Sequence, residues 1–247
     1  MPLAPSLKYA LHPYLPERLG FRSALRLLNP EAANLLDQTD KNTLLISRSR
    51  ITLLREGKDV LRREVPGDFV EFGVHKGGSA AVLASVIKDE PERQLHLFDR
   101  WGDLPEPTDE DGFRKEQYTK SKIPEKLAAL KGSLDDTKHI VEDVIGFPKE
   151  RTHYYQGWYD DTLKLYPGRS IAFASIDCDY YESVKAVLAV CDQYASPGAA
   201  LFVEDYGHWP GAKRAVHEWL ESTKRKVQLV RMRRIGNAII RLGAAHE

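Results

Sequence analysis

Five short apolar runs, each followed by a segment of different character, constrain this chain more than any other feature. They read DFVEFGV, QLHLFD, THYYQG, IAFASID and ALFVED, beginning at Asp68, Gln94, Thr152, Ile171 and Ala200. Short apolar strands alternating with helices pair in parallel and are buried on both faces. The expected fold is therefore α/β, a doubly wound sheet. KVQLVRMRRIGNAIIRL adds two strand-like runs around IGN, which read as a closing antiparallel hairpin. At 247 residues the chain can form one large domain with a substantial core, or two small ones.

The segments between the strands carry helical periods. From Asp40 a helix is expected with Leu44, Ile51, Leu54 and Leu61 on one face, ended by VPG at 65–67. HKGGSAAVLASVI opens from a glycine-bearing turn into a second helix. Further pieces are expected around 123–131 and 134–145. Val184, Val187, Leu188 and Cys191 mark another helix. PGAKRAVHEWLE marks the last, with Pro210 in its first turn and Ala212, Ala215, Val216 and Trp219 facing inward. Residues 1–40 lack a sustained period. Residues 1–64 are thus expected to be a helical arm, packed on its own domain or on a second subunit. Residues 65–247 form the main domain, with 101–150 as a polar insertion.

Charge excludes some function classes. Lys+Arg and Asp+Glu number 36 each, so bulk electrostatics favour neither nucleic acid nor a membrane surface. The two cysteines, Cys178 and Cys191, are too few for a disulfide framework and show no metal-ligand spacing. No run approaches the roughly 18 apolar residues of a membrane span. A soluble, cytoplasmic protein is expected.

The chemistry gathers at the strand ends. Open sheets of this kind bind ligands beyond the carboxyl ends of their strands. Asp99, Asp177, Asp179, Glu204 and Asp205 all fall there. Gly73, Gly77 and Gly78 lie between the first strand and its helix, where glycine admits a close backbone approach to a ligand. A structural tight turn would use glycine in the same way. Asp99, at the next strand end, is placed to accept hydrogen bonds from both hydroxyls of a ribose. Together these features point to a nucleoside-containing cofactor.

Asp177, Glu204 and Asp205 offer oxygen ligands suited to Mg²⁺, Mn²⁺ or Ca²⁺. Some of these acids could instead cap helices or face solvent. Tyr206, His208 and Trp209 follow directly and suit a hydroxylated ligand, as they suit ordinary packing. Tyr181 and Lys185 have the Tyr-x-x-x-Lys spacing of short-chain dehydrogenases. The third glycine of that class is missing, so the pair reads as the start of an amphipathic helix.

VPGDFVEFGVHKGGSAAVLA, LHLFDRWGDLPEPT, HYYQGWYDDTLKLYP, IAFASIDCDYYESVKAVL and SPGAALFVEDYGHWPGAKRAVHEWL resemble, in order, the motifs of the macrocin O-methyltransferase (TylF/MycF) family. The resemblance runs from about residue 65 to 220. It implies the class I methyltransferase (Rossmann-like) sheet and an enzyme dependent on S-adenosylmethionine and Mg²⁺. The acceptor implied is a deoxysugar hydroxyl of a glycosylated natural product, in antibiotic biosynthesis.

Carried over by position, Glu71, Gly73, Gly77 and Ser79 would lie along the methionine part of the cofactor. Asp99 would hold the ribose, and Gly157 and Trp158 would lie near the adenine. Asp177, Glu204 and Asp205 match metal ligands, and Asp179 matches the general base. His208 is a second candidate for proton acceptance or substrate contact. Tyr206 and Trp209 would face the acceptor. The family usually has two aspartates before YG, and Glu204 stands in the first place, one methylene longer. The arm and residues 101–150 are expected to vary with substrate, and self-association is implied. Two other readings stay open: an O-methyltransferase of a catechol, other phenol or non-sugar alcohol, and a non-catalytic nucleoside-binding protein.

Overall fold

The computed structural model describes residues 19–102, 106–112, 131–232 and 236–245. Seven strands form one sheet: β1 Asp68–Phe72, β2 Leu95–Asp99, β3 Thr152–Gln156, β4 Ile171–Ile176, β5 Ala195–Val203, β6 Arg225–Met232 and β7 Asn237–Ala245. Their spatial order is β3-β2-β1-β4-β5-β7-β6. The first five run parallel, and β7 is antiparallel to both β5 and β6. The order reverses between β1 and β4, which opens a crevice at their carboxyl ends. This is the expected doubly wound sheet with its closing hairpin.

The helices are α1 Leu19–Leu28, α2 Pro30–Thr39, α3 Ser47–Arg62, α4 Gly78–Ile87, α5 Leu134–Lys138, α6 Tyr159–Thr162, α7 Tyr181–Tyr194 and α8 Pro210–Ser222. Phe69 and Phe72 point to opposite faces of β1. Phe69 meets α3 beside Gly57, and Phe72 meets Tyr159 of α6. α3 and α4 pack together, as do α7 and α8. Phe69, Phe72, Phe98, Phe173 and Phe202 are sealed between these layers. None of the described helices is long and apolar enough to cross a membrane.

Three expectations shift. The helix expected from Asp40 starts at Ser47, after a short turn Asp40–Asn42 and an extended Thr43. Asp40 is held by Arg22 and Arg50, and the Asn42 side chain donates to the Lys76 carbonyl at 3.1 Å, so the chain turns there. Leu44, expected on the apolar face of that helix, precedes it and is exposed as a result. β5 begins five residues before the expected run, with Ser196 donating to the Pro66 carbonyl at 2.7 Å. The helical piece at 134–145 forms, but changes from α to π winding at His139. Of the piece expected at 123–131, all but Lys131 lies outside the described residues.

The end of the arm is built into the domain. α3 packs on α4 and β5, Asn237 of β7 donates to Ser49 at 3.0 Å, and Arg241 pairs with buried Glu56 at 2.7 Å. Arg50, itself buried, ties α3 to the Leu36 carbonyl and Thr39 of α2.

Candidate active site

The parallel strands deliver every expected site residue to one edge of the sheet, through the five turns that follow β1 to β5 or the strand ends themselves. Gly73 has φ +87°, and a Cβ there would stand 1.8 Å from the Asp177 carbonyl. Its bareness therefore lets the turn after β1 lie against the turn after β4, where the Asp177 amide donates to the Phe72 carbonyl at 2.8 Å. Gly77, at φ +86°, is crowded by Thr137 and Ile140 rather than by open space. The glycines are thus required first by the approach of the chain to itself. Gly77 is the N-cap residue of α4, which therefore begins without a side-chain cap.

Glu71 carries the clearest electrostatic anomaly. It is fully buried in β1, and neither carboxylate oxygen has a hydrogen-bond partner. Burial pushes its pKa up to about 8, and the nearby Asp99 charge adds to this. Ser79 of α4 and Ser175, its register neighbour on β4, stand beside it and offset part of the cost, although neither makes a hydrogen bond of ordinary geometry. Asp99 is the opposite case. It accepts the amides of Val74 and His75 at 2.6 and 2.8 Å and that of Trp101 at 2.6 Å. Its own carbonyl accepts the Gly157 amide at 3.0 Å, which brings the turn after β3 alongside. Trp158 is 45% exposed, with the Arg100 guanidinium over its ring at 4.2 Å.

Across the crevice, Glu204, Asp205 and His208 place ligand atoms within 4.8 Å of one another. His208 Nδ1 lies 3.7 Å from Glu204 and 3.9 Å from Asp205. The residues Glu204–Gly207 wind as a 3₁₀ turn, so residues three apart share a side. That winding sets Asp205 beside His208. It turns Tyr206 the other way, where it is buried, stacks on His217 and bonds to it at 3.0 Å. Tyr206 is thus tied to α8 through His217. Trp209 is half-buried, edge-on to Tyr180 at 4.9 Å.

Asp177 and Asp179 face this group without joining its tightest set. Burial, and then neighbouring carboxylates, raise both well above the usual carboxylate range. Burial likewise lifts Glu204 and Asp205 to about 7. One oxygen of Asp205 is buried without a hydrogen bond. Backbone strain follows the same edge. Of the four described non-glycine residues with positive φ, His75, Trp101 and Asp179 lie in the turns after β1, β2 and β4.

The sequence pattern did not single out Tyr159. It directly follows Trp158, and its hydroxyl is held neutral by burial and by Cys178, Asp99, Asp177 and Asp179 around it. Cys178 sits among the same carboxylates, which keep its thiol protonated after burial does. Tyr181 and Lys185 are helix packing, as expected: the tyrosine donates to Glu218 at 2.6 Å while Lys185 lies over its ring at 5.2 Å. A groove of about 390 Å³ between α3 and the β6–β7 hairpin, lined by Arg55, Glu56, Asp59, Arg62 and Arg241, contains none of the site residues. Its charges pair with one another. The buried acids at the carboxyl edge are the stronger candidate for a functional site.

The macrocin-O-methyltransferase family profile matches residues 29–238. Demethyldecarbamoylnovobiocin O-methyltransferase of Streptomyces niveus is 27% identical over 128 residues, 51% of this chain and 47% of that protein. The 8-demethyl-8-(2,3-dimethoxy-alpha-L-rhamnosyl)-tetracenomycin-C 4'-O-methyltransferase of Streptomyces olivaceus is 29% identical over 132 residues, 52% of this chain and 49% of that protein. The chain thus spans about half the length of the curated relatives it matches. The solved structure of the O-methyltransferase NovP superposes with a TM-score of 0.72 over 82% of this chain and 83% of its own, at 21% identity. That likeness is one of fold.

Proposed function

The chain belongs to the macrocin-O-methyltransferase family, and from that premise we propose that it transfers a methyl group from S-adenosylmethionine to a sugar hydroxyl of a glycosylated small molecule. A divalent cation, Mg²⁺ or else Mn²⁺ or Ca²⁺, would sit beside the acceptor. One observation carries the reading: carboxylates raised by burial stand on both sides of the crevice, Glu71 with two oxygens lacking hydrogen bonds on one, and Asp177, Asp179 and Asp205, one oxygen of Asp205 likewise unsatisfied, on the other. The rhamnosyl substrate named for the Streptomyces olivaceus relative supports a sugar acceptor.

The residues present fit both ligands. Glu71, with two unsatisfied oxygens, suits the cationic amino group of the cofactor's methionine part, beside Gly73, Gly77 and Ser79. An ionised carboxylate has about four acceptor sites. Asp99 spends three on loop amides, so a ribose hydroxyl would use the remainder. Trp158, beside Gly157, offers an exposed ring for the adenine. Oxygen donors of Glu204 and Asp205, one of them orphaned, converge near His208 and suit a hard cation, with Asp177 joining them.

S-adenosylmethionine supplies the methyl group on a sulfonium. A cation held by these carboxylates would stabilise negative charge developing on the acceptor oxygen. The chain's own part is orientation and deprotonation. Asp179, whose carboxyl is raised by burial and by the neighbouring Asp205, takes the hydroxyl proton; His208, 3.9 Å from Asp205, would serve the same task or hold the sugar. Trp209 flanks the acceptor side. The two sides of the crevice must hold the acceptor oxygen and the methyl carbon roughly 3–3.5 Å apart and in line.

The reading extends to a cytoplasmic enzyme that self-associates, and the 85% exposed Leu27 and Leu28 at the end of α1 support the second point. Calorimetric titration of S-adenosylhomocysteine, together with turnover on a panel of glycosylated acceptors, each with Mg²⁺ and with EDTA, tests the proposal. Expected are cofactor binding that persists in EDTA and turnover that does not. Absence of cofactor binding would overturn the assignment, and undiminished turnover in EDTA would remove the cation.

A further inference from the structure

Asp111 lies in the short turn Asp109–Asp111, outside every strand and helix that carries the acidic edge, and is fully buried. Its Oδ2 accepts the Thr108 amide at 2.8 Å and closes its own turn. Its Oδ1 reaches across to accept the Tyr181 amide, also at 2.8 Å. Tyr181 opens α7, whose N-cap residue Tyr180 does not cap the helix with its own side chain. Asp111 therefore provides the missing acceptor, and a negative charge, at the positive end of a 14-residue helix.

A second helix meets the same oxygen. A Cβ on Gly211, in the first turn of α8, would stand 2.2 Å from Asp111 Oδ1 and 3.0 Å from the Tyr181 Cβ. One carboxylate thus joins the first turns of α7 and α8. Those turns directly follow the segments Asp177–Tyr180 and Glu204–Trp209, which bear the acids on that side of the crevice.

We propose that Asp111 is a positioning residue that sets the spacing of these two acid-bearing turns, and through it the affinity of the cation site. This rests on the cation in the reading above. A simple helix cap would govern stability alone; a spacer also governs what the two turns can hold. Gly211 is then required as glycine because any side chain would drive the carboxylate from its place.

Mn²⁺ titration of the full chain with S-adenosylhomocysteine bound, followed by electron paramagnetic resonance, tests this without an acceptor. Asp111→Ala and Gly211→Ala are each expected to weaken Mn²⁺ by about tenfold or more, with S-adenosylhomocysteine affinity unchanged. Asp111→Asn keeps an acceptor for the Tyr181 amide and is expected to restore most of the affinity. Leu53→Ala, a cavity in α3, serves as the comparison: it lowers the melting temperature but leaves Mn²⁺ binding as it was. Native Mn²⁺ affinity in Asp111→Ala overturns the proposal, as does equal weakening in Leu53→Ala. Should Asp111→Ala fail to fold, Gly211→Ala decides on the same criterion. Native protein that binds no Mn²⁺ overturns the cation reading instead, and the two failures are distinct.

Discussion

Asp68 and Glu71 stand three residues apart on β1, both buried, and the structure treats them in opposite ways. Asp68 is paired with Arg169, accepts the Gln94 amide at 3.0 Å and faces His96 at 3.2 Å. Although burial works against its ionisation, those partners hold its carboxyl below the usual range. Glu71 has no partner and is pushed up to about 8. Asp68 belongs to the amino end of the sheet and Glu71 to the carboxyl end. A buried acid whose partners come from the chain itself is architecture. One buried without them is a place kept for something that arrives later.

The sharpest way to break this contrast is to remove an acid from each end. Asp177→Ala or Asp205→Ala should lower kcat by about a thousandfold, with S-adenosylhomocysteine affinity and melting temperature at or above native, because carboxylate repulsion is relieved. Calorimetry, melting and turnover on one preparation check all three. A variant that loses stability as well as activity would move these acids into the architectural class. Asp68→Ala should do the reverse. It strands His96 and the Gln94 amide, so the expected cost is about 3 kcal/mol of stability, measured by denaturant unfolding, with turnover per folded molecule unchanged.

A conservative change sharpens the comparison within β1. Glu71→Gln removes the charge and keeps the shape. Cofactor affinity should fall by about tenfold to a hundredfold, while the cofactor-free protein becomes more stable at pH 8. The smallest effect is a slope. Glu71 titrates at about 8 in the fold against 4.5 for a free glutamate, and Glu204 and Asp205 at about 7. The folded state therefore binds more protons than the unfolded one between those limits, and stability falls as pH rises through that window. Melting temperatures of the cofactor-free protein from pH 5 to 8.5 should decline, and saturating cofactor plus Mg²⁺ should flatten the decline.

Much of this was legible in the sequence because it is local. A strand end followed by an acid fixes where Asp99, Asp177 and Glu204 must lie once the strands are parallel, and the hairpin around Gly236 follows from two flanking runs. What was not legible depends on partners far along the chain. Leu44 reads as part of a helix's apolar face until Asp40 is seen clasped by Arg22 and Arg50. The bond of Tyr206 to His217 of α8 has no signal in the sequence, because it depends on the 3₁₀ winding of the turn. Tyr159 and Asp111 carry no spacing signal at all, since each gains its role from turns that only the folded sheet brings together.

The hairpin has one further consequence, in the order of synthesis. β7 lies between β5 and β6 although it is made after both. Gly236, at its start, also backs the Glu204–Gly207 turn, accepting the Gly207 amide at 2.6 Å and leaving room for the His208 ring. At about 5–20 residues per second of translation, β5 waits several seconds for its neighbour. During that interval a strand of buried residues shows an open edge, and the acid-bearing turn beside it has no back wall. On the proposed reading, a nascent chain would have its glycine turn and Asp99 in place before the turn read as the acceptor side gains its back wall.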